Sequence, residues 1–436
     1  MADKKSGKLF YGWIIVAAGV LVTGATIGVF NNTLSVFVKP VTESLGFARG
    51  EFTLYSSISS IAGMMAAPVY GEFFRKGKNK QVMLICSLLV VLAALGYSFS
   101  SQLWHFYACA AITGAAIQGC SNMAVATLIN NWFYEKKGTA TGIALAGTGL
   151  FGSVMVPIVT WVIGAYGWQW GYRLLSAVGV AVLFPVITLF MRARPEEMGL
   201  TPYGARPQAE AEEKGQEEEI GFTRGQVLKM PSFYLVMAGM FLTLLAGICM
   251  QGHLMSHLTD IGYSSAFASR VVSAAMIALM VGKIAMGWVF DRFGVMVGCI
   301  SAAVSAGVGL AALIFSYIPG VPYLAAAGLG YTLALGSVAS SLITNRYFGA
   351  RDFARVYVIA NLGGGFGGIV GQPFGGFVYD LTGSYNGAWM VGIGLVAVSS
   401  VLFMLGDRSN KRAWDRLIAQ QAEKTNNFTA YVAEEG

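Results

Sequence analysis

"GTGLFGSVMVP" (Gly147–Pro157) and "GGGFGGIVGQP" (Gly363–Pro373) share one pattern at an offset of 216 residues, as 363 − 147 gives. Both stretches place glycine at the first, third and sixth positions and proline at the eleventh. The same offset relates Gly71 to Gly287. Landmarks that recur at one offset indicate an internal duplication. The chain is therefore predicted to contain two halves of like construction.

The composition excludes an ordinary soluble protein. Of the 436 residues, 55% are hydrophobic and only 12% are charged, and the mean hydropathy is +0.60. Soluble domains carry about 25% charged residues, so this chain lacks the polar side chains that would cover a soluble fold. We expect an integral membrane protein.

Apolar runs of about 20 residues predict membrane-spanning helices. The alternating strands of a membrane barrel do not occur in the sequence. The stretch before Tyr11 is too polar for a signal peptide and the run that follows is too long for one, so helix 1 is predicted to be a true span. The predicted helices are twelve: 11–37, 51–73, 81–100, 104–132, 138–164, 169–191, 232–256, 264–290, 295–317, 321–345, 353–379 and 385–406.

The longest polar stretch lies between predicted helices 6 and 7 and is rich in Glu, Gly and Pro, which is typical of a loop. It divides the chain into two sets of six helices. The predicted organisation is an N-terminal six-helix half (1–192), a cytoplasmic linker (193–230), a C-terminal six-helix half (231–406) and a cytoplasmic tail (407–436). The fold class is thus all-α and integral to the membrane, with the two halves in parallel repeat.

Lys and Arg residues fix the predicted orientation. If both termini are cytoplasmic, inner segments hold 24 of the 29 basic residues and outer segments hold 4. Cytoplasmic loops carry an excess of Lys and Arg, so both termini are predicted to be cytoplasmic. The net charge of +7 then reflects topology, and no nucleic-acid partner is expected. Lys283 is the one basic residue assigned to neither surface.

Catalytic and metal-binding patterns are not found in the sequence. The five cysteines all fall within predicted helices and lack metal-ligand spacing, so neither disulfides nor zinc are expected. The predicted helices hold no Ser/His/Asp set and no paired carboxylates at mid-depth. We expect no enzymatic activity, no cofactor and no metal.

Parallel repeats of six helices resemble the major facilitator superfamily, whose members bind substrate near the midplane between halves that rock against each other. "GWVFDRFG" (Gly287–Gly294) is similar to that superfamily's loop between helices 8 and 9, whereas its counterpart at Gly71–Lys80 carries Arg75 in the usual acidic position. Glycine-rich helices also occur in static bundles, which is the alternative interpretation of the repeat. The positions expected to serve gating are Gly71, Gly287, Asp291, Arg292, Gly147, Pro157, Gly363 and Pro373.

The stretches Asn131–Arg173 ("NWFYEKKGTATGIALAGTGLFG…GWQWGYR") and Asn345–Tyr385 ("NRYFGARDFARVYVIANLGGGFGG…") resemble the monocarboxylate transporter family. The resemblance extends over about residues 8–406 and suggests a bacterial member, with oxalate/formate antiporters as a neighbouring group. Animal members carry an Asp four residues before a helix-8 Arg, and a lysine on helix 1. This chain has Leu279, Lys283 and Asn32 at those positions. The family's route to proton coupling is therefore not supported here.

Lys283 is the strongest candidate for binding substrate. It lies eight residues inside helix 8 if that helix ends near Asp291, or about 12 Å from the end at 1.5 Å per residue. An ionisable side chain at such depth costs roughly 2.5–3.5 kcal/mol and usually faces a cavity or pathway. No acidic residue occurs at mid-depth in the predicted helices. A substrate carboxylate is the preferred counter-ion; snorkelling and a structural ion pair are the alternatives.

Other polar residues near mid-depth could bind the substrate or join helices, since Asn and Gln also act as interhelical contacts. Gln118 and Asn122 are four apart on predicted helix 4 and should share a face. His253 near the end of helix 7 is a candidate for proton relay, because histidine titrates near neutral pH. The further substrate-site candidates are Asn361, Tyr331, Asn32, Asn31 and Phe366.

The predicted function is secondary active transport of small monocarboxylates such as lactate or pyruvate by alternating access. Substrate binding either recruits a proton onto Lys283 and gives proton symport, or neutralises a permanently charged Lys283 and gives exchange. The alternatives are an organic-anion exchanger of the oxalate/formate type and a transporter-like carboxylate sensor. The expected partners are the organic anion, protons and the lipid bilayer, with the protein acting as a monomer in a bacterial inner membrane.

Overall fold

The structure, a computed structural model, describes residues 10–204, 221–336, 340–349 and 351–435. Within these ranges it leaves out the side chains of residues 75, 340, 341, 353, 354, 358, 361, 362 and 420–435. The described residues form helices almost throughout. Ten helices are long and apolar enough to cross a membrane, and Val321–Ala334 is a shorter apolar helix.

Twelve helical spans follow in the predicted order, and we label them α1 to α12. Those of the N-terminal half are α1 (Tyr11–Leu45), α2 (Arg49–Arg75), α3 (Asn79–Tyr97), α4 (Leu103–Trp132), α5 (Lys137–Tyr166) and α6 (Trp168–Leu189). Those of the C-terminal half are α7 (Pro231–Asp260), α8 (Ser265–Phe293), α9 (Val295–Ile314), α10 (Val321–Ala334 and Ser340–Phe348), α11 (Phe353–Thr382) and α12 (Asn386–Glu435).

Two predicted spans are less regular than the sequence suggested. α1 contains a π-helical segment, Gly24–Asn31, and runs to Leu45 rather than to residue 37. α4 breaks at Ser121, whose φ of −127° and ψ of −131° are not helical. This break interrupts the regular helix between Gln118 and Asn122, on which the prediction that they share a face depends.

The stretch after residue 406 also differs from a simple tail. α12 continues without interruption to Glu435. The indole nitrogen of Trp414 donates to the Tyr347 carbonyl oxygen at 2.8 Å, and the Tyr347 hydroxyl donates to Asp407 at 2.9 Å. The beginning of the predicted tail is thereby packed against the end of α10.

The glycines of the repeat explain how the helices of each half pack. A Cβ at Gly147 would lie 2.1 Å from the Val20 carbonyl oxygen of α1, and a Cβ at Gly363 would lie 3.2 Å from Met237 of α7. The neighbours of Gly152 and Gly368 are equivalent to one another at the same offset of 216 residues. These neighbours are Asn32 and Met276 for Gly152, and Ile248 and Ser60 for Gly368. The duplication seen in the sequence is therefore a duplication of packing.

The halves meet along two pairs of helices, α5 with α8 and α2 with α11, and α1 also contacts α7. We call the end of the bundle that holds residues 190–204 and 221–230 the linker end, and the opposite end the distal end. At the linker end, Tyr203 donates from its backbone to the Trp132 carbonyl at 2.9 Å, and Gly221 pairs with Gly349. Part of the predicted linker is thus attached to each half.

Candidate functional site

Lys283 lies in the α5–α8 contact between the halves. Its ammonium donates to the Thr148 hydroxyl at 2.9 Å and to the Leu145 carbonyl oxygen at 3.1 Å, both on α5. None of the ion pairs formed by the described side chains includes Lys283. Its partners are neutral oxygens, so its charge is solvated by the protein but not cancelled.

A chain of hydrogen bonds runs from Lys283 towards the centre of the bundle. The Asn32 amide nitrogen donates to the Thr148 carbonyl oxygen at 3.0 Å, and the Gln251 amide nitrogen donates to Asn32 Oδ1 at 3.2 Å. Asn32 is 3% exposed, and both of its polar atoms are bonded. The predicted pair Lys283 and Asn32 is thereby connected through Thr148, which sequence reasoning did not select.

A polar cavity of about 120 Å³ lies at the end of this chain, between α1, α2, α7 and α11. Asn31 and Asn32, both predicted site residues, line it. Lys283 is not part of its lining in this state. The remaining lining residues are Leu34, Ser35, Ser56, Ser59, Ser60, Ile248, Gln251, Gly252, Gly368 and Gln372.

Sequence reasoning missed most of this cavity. Gln251 and Gln372 are amide side chains in apolar spans, so a full inventory of intramembrane amides would have found them. Ser59 and Ser60 gave no such signal, because serine is common in packed membrane helices.

The helix-4 candidates do not line this cavity. Gln118 packs against α2, where a Cβ at Gly63 would lie 3.2 Å from its amide nitrogen. Asn122 follows the break at Ser121, and its Oδ1 is buried without a hydrogen-bond partner among the described residues. Neither residue contacts Lys283 through a hydrogen bond.

The α10 and α11 candidates are placed differently again. The Tyr331 hydroxyl shares a 2.9 Å hydrogen bond with Ser301 of α9, so it joins helices within the C-terminal half. Phe366 is 51% exposed and is not among the cavity residues. The Asn361 side chain lies outside the part of the chain that the structure describes.

His253 stands behind the cavity wall. Its Nε2 donates to the Gln372 carbonyl oxygen at 2.7 Å, and its ring lies 4.8 Å from that of Tyr385. Its Nδ1 is buried with no partner among the residues described. His257, one turn further, bonds Ser316 at 2.9 Å within the same half. His253 therefore supports a cavity residue without lining the cavity.

The distal end carries a cluster of charges that joins the halves, which we call the distal clamp: Lys39, Arg49, Asp260, Asp380 and Tyr385. Arg49 Nη1 lies 2.5 Å from Asp260 Oδ2 and 2.8 Å from the Tyr385 hydroxyl, and Lys39 lies 2.7 Å from Asp260 Oδ1. Asp380 accepts from the backbone N–H of Arg49 at 2.9 Å, at the first turn of α2, where an anion is favoured by the helix dipole. Sequence reasoning counted these cations only as loop charges.

The gating candidates lie in helices and at the linker end. Asp291 forms a 2.6 Å ion pair with Arg346 of α10, and the Arg292 guanidinium lies 5.7 Å from the Trp288 ring centroid. A Cβ at Gly287 would meet nothing within 4 Å, and one at Gly71 would lie 3.4 Å from Met123. The two repeat prolines stand inside helices, Pro157 in α5 and Pro373 in α11.

Comparison with known proteins identifies the family. The model of the Major Facilitator Superfamily matches residues 18–319 and 254–429. The chain belongs to the major facilitator superfamily, and it is an integral membrane transporter.

Relatives and solved structures agree with this assignment. Monocarboxylate transporter 12-B of Danio rerio is 26% identical over 440 residues, which cover 92% of this chain and 89% of the relative. Monocarboxylate transporter 13 of Bos taurus is 23% identical over 412 residues, covering 91% and 89%. A bacterial homologue of the human lysosomal transporter Spinster superposes with a TM-score of 0.72 at 12% identity over 93% of this chain and 98% of that one. The nucleoside transporter NupG gives a TM-score of 0.64 at 14% identity over 91% and 99%.

Proposed function

We propose that this protein carries small monocarboxylates, of the size of lactate or pyruvate, across a membrane by alternating access. The substrate carboxylate binds the Lys283 ammonium at the α5–α8 contact. The protein acts as a monomer in a bacterial cytoplasmic membrane, with both termini on the cytoplasmic side.

The observation that carries this proposal is the environment of Lys283. The ammonium lies half-buried at the contact of α5 with α8, bonds only neutral oxygens among the described residues, and connects to a polar cavity through Thr148 and Asn32. A charge held in a low-dielectric interior gains most from an opposite charge. A carboxylate that reaches Lys283 supplies that charge, and it leaves again when the site opens.

A single cation favours a single carboxylate. Dicarboxylates gain from two cations, whereas none of the residues that line the polar cavity is a second Lys or Arg. The monocarboxylate transporters among the relatives support the same class of substrate.

The distal clamp supports alternating access. It ties α1 and α2 of one half to α7 and α11 of the other through five polar groups, so in this state it holds the distal end closed. Rocking of the halves around a central site, the general mechanism of this fold, would break the clamp and open the predicted outer face.

Two coupling modes are consistent with Lys283. Leu279 is 6% exposed and takes the place of the acid that animal relatives use, so proton symport would have to use the lysine itself. In the exchange mode, Lys283 stays protonated, and the empty carrier changes its conformation only when an anion neutralises the lysine. We favour the exchange mode because the ammonium is already held by two oxygen acceptors.

Uptake of labelled L-lactate by proteoliposomes tests the proposal. We expect saturable uptake that unlabelled pyruvate inhibits and that internal L-lactate accelerates. Liposomes that contain the Lys80→Met variant are the control for loss of a lysine outside the site, because Lys80 donates to the Thr188 carbonyl oxygen at the linker end. This variant should keep the wild-type uptake. Absence of any saturable carboxylate uptake would overturn the proposed function. Accumulation driven by a proton gradient alone would replace exchange by symport.

A further inference from the structure

We propose that the polar cavity binds the hydroxyl groups of the substrate, so that the protein selects small hydroxylated monocarboxylates, such as 2-hydroxy and 2,3-dihydroxy acids, over alkyl acids of equal length. This inference rests on the proposed function, because it assumes that the carboxylate lies at Lys283. It assigns a specificity role to Gln251, Ser59 and Ser60.

The composition of the cavity carries the first step. Eight of its twelve lining residues have a hydroxyl or amide side chain, and only Leu34 and Ile248 are large and apolar. None of these lining residues is charged. Uncharged donors and acceptors match hydroxyl groups, whereas a second carboxylate would want a second cation and an alkyl chain would want an apolar wall.

The unused hydrogen-bonding capacity of the cavity is the second step. The side chains of Asn31, Ser59 and Ser60 form no hydrogen bond with any other residue that the structure describes. Gln251 uses its amide nitrogen for Asn32, which leaves its carbonyl oxygen as an acceptor. These groups can therefore bond a ligand without first breaking a protein contact.

Gln372, another residue of the cavity lining, also offers a polar side chain to a ligand. Gln372 is 6% exposed, and its amide lies near the Tyr55 hydroxyl without forming a hydrogen bond of ordinary geometry among the described residues. Its backbone is held by His253 at 2.7 Å, and a Cβ at Gly252 would lie 2.5 Å from its Cγ. The position of this amide at the cavity wall is thus fixed from two sides. Polar groups that are buried without partners are energetically costly, so a ligand that bonds one is favoured.

The relative positions of Lys283 and the polar cavity define the proposed orientation of the substrate. Lys283 lies at one end of the hydrogen-bond chain, Asn32 lies between, and the serines of α2 lie across the cavity. The cavity volume of about 120 Å³ has room for roughly 8–12 water-sized groups, at 10–15 Å³ for each. That is enough for a three-carbon acid with its hydroxyls. In our proposal the carboxylate lies towards Lys283, and the hydroxyls on C2 and C3 lie towards Gln251 and the serines.

Three acids with one carbon skeleton test the inference: propionate, L-lactate and D-glycerate, which carry no, one and two hydroxyl groups. Each is measured as a competitor of labelled L-lactate uptake in proteoliposomes with wild type, Ser60→Ala and Gln251→Leu. The matched control is Ser57→Ala, three residues before Ser60 on α2, because the Ser57 hydroxyl bonds the Ile369 carbonyl oxygen and is not part of the cavity lining.

We expect wild type to bind L-lactate about tenfold more tightly than propionate, and glycerate at least as tightly as L-lactate, since one hydrogen bond is worth about that factor. Ser60→Ala and Gln251→Leu should bring these ratios towards one, while Ser57→Ala keeps them. Equal competition by propionate and L-lactate in wild type would overturn the inference and leave the proposed function intact. Equal loss for all three acids in the cavity variants would overturn it as well. The wild-type series decides even where a variant fails to fold.

Discussion

The two contacts that join the halves have the same geometry and different chemistry. In the α5–α8 contact, Gly152 packs against Met276, and Lys283 reaches Thr148. In the α2–α11 contact, the equivalent Gly368 packs against Ser60. The position equivalent to Lys283 is Ala67, as 283 − 216 gives, and that of Thr148 is Gly364.

This difference shows how two contacts with equivalent packing can carry different polar groups. The repeat supplies two symmetric contacts through its glycines, and the polar cavity lies beside the α2–α11 contact, between α1, α2, α7 and α11. One contact then carries the charge and the other carries hydroxyl groups. In our account the asymmetric substrate, with a carboxylate at one end and hydroxyls at the other, matches this division.

The largest effect is expected from the glycines that set the two contacts. A Cβ at Gly149 would lie 2.6 Å from the Met276 carbonyl oxygen, which is backbone, whereas one at Gly365 would lie 3.1 Å from the flexible Met64 sulfur. Overpacking costs about 1–3 kcal/mol where nothing can yield. Gly149→Ala should therefore lower the initial rate of L-lactate uptake by about tenfold or more, and Gly365→Ala by much less.

The pair is its own control, because both variants add one methyl group to equivalent positions. The amount of monodisperse protein in size-exclusion chromatography corrects for folding. Equal rates for the two variants would show that close packing is no more important for transport in the α5–α8 contact than in the α2–α11 contact.

A smaller effect is expected from the hydroxyl that holds Lys283. Thr148→Val removes the acceptor at 2.9 Å and keeps the carbonyl oxygens of Leu145 and Thr148. One neutral hydrogen bond contributes about 0.5–1.5 kcal/mol, so the half-saturating concentration of L-lactate should change by a few-fold up to about tenfold. Thr160→Val on the same helix should change it by less, since Thr160 donates to Val156 of its own helix. Equal changes in both would place Thr148 outside the site.

The fold was predictable because its signals are long-range and redundant. Twelve apolar runs and glycines at one offset each point to the same architecture, and most observed spans begin and end within a few residues of the predicted ones, with α1 and α12 as the exceptions. Lys283 was predictable for a related reason, since an isolated charge in an apolar span has few structural explanations.

The finer site was not predictable, because depth along a helix does not give the direction of a side chain. Tyr331 and Gln118 have suitable depth but turn to α9 and α2. The break at Ser121 and the π-helical segment Gly24–Asn31 rotate the residues that follow them. Such local departures from 3.6 residues per turn leave no mark in a hydrophobic pattern.

Direct binding of L-lactate to purified protein tests the central claim that Lys283 holds the carboxylate. Isothermal titration would compare wild type, Lys283→Met, which keeps the length of the stem, and Lys283→Arg, which keeps the charge. We predict a binding isotherm for wild type, a weaker one for Lys283→Arg, and no measurable binding for Lys283→Met in protein of unchanged thermal stability. Binding of L-lactate to Lys283→Met with the wild-type affinity would contradict the account.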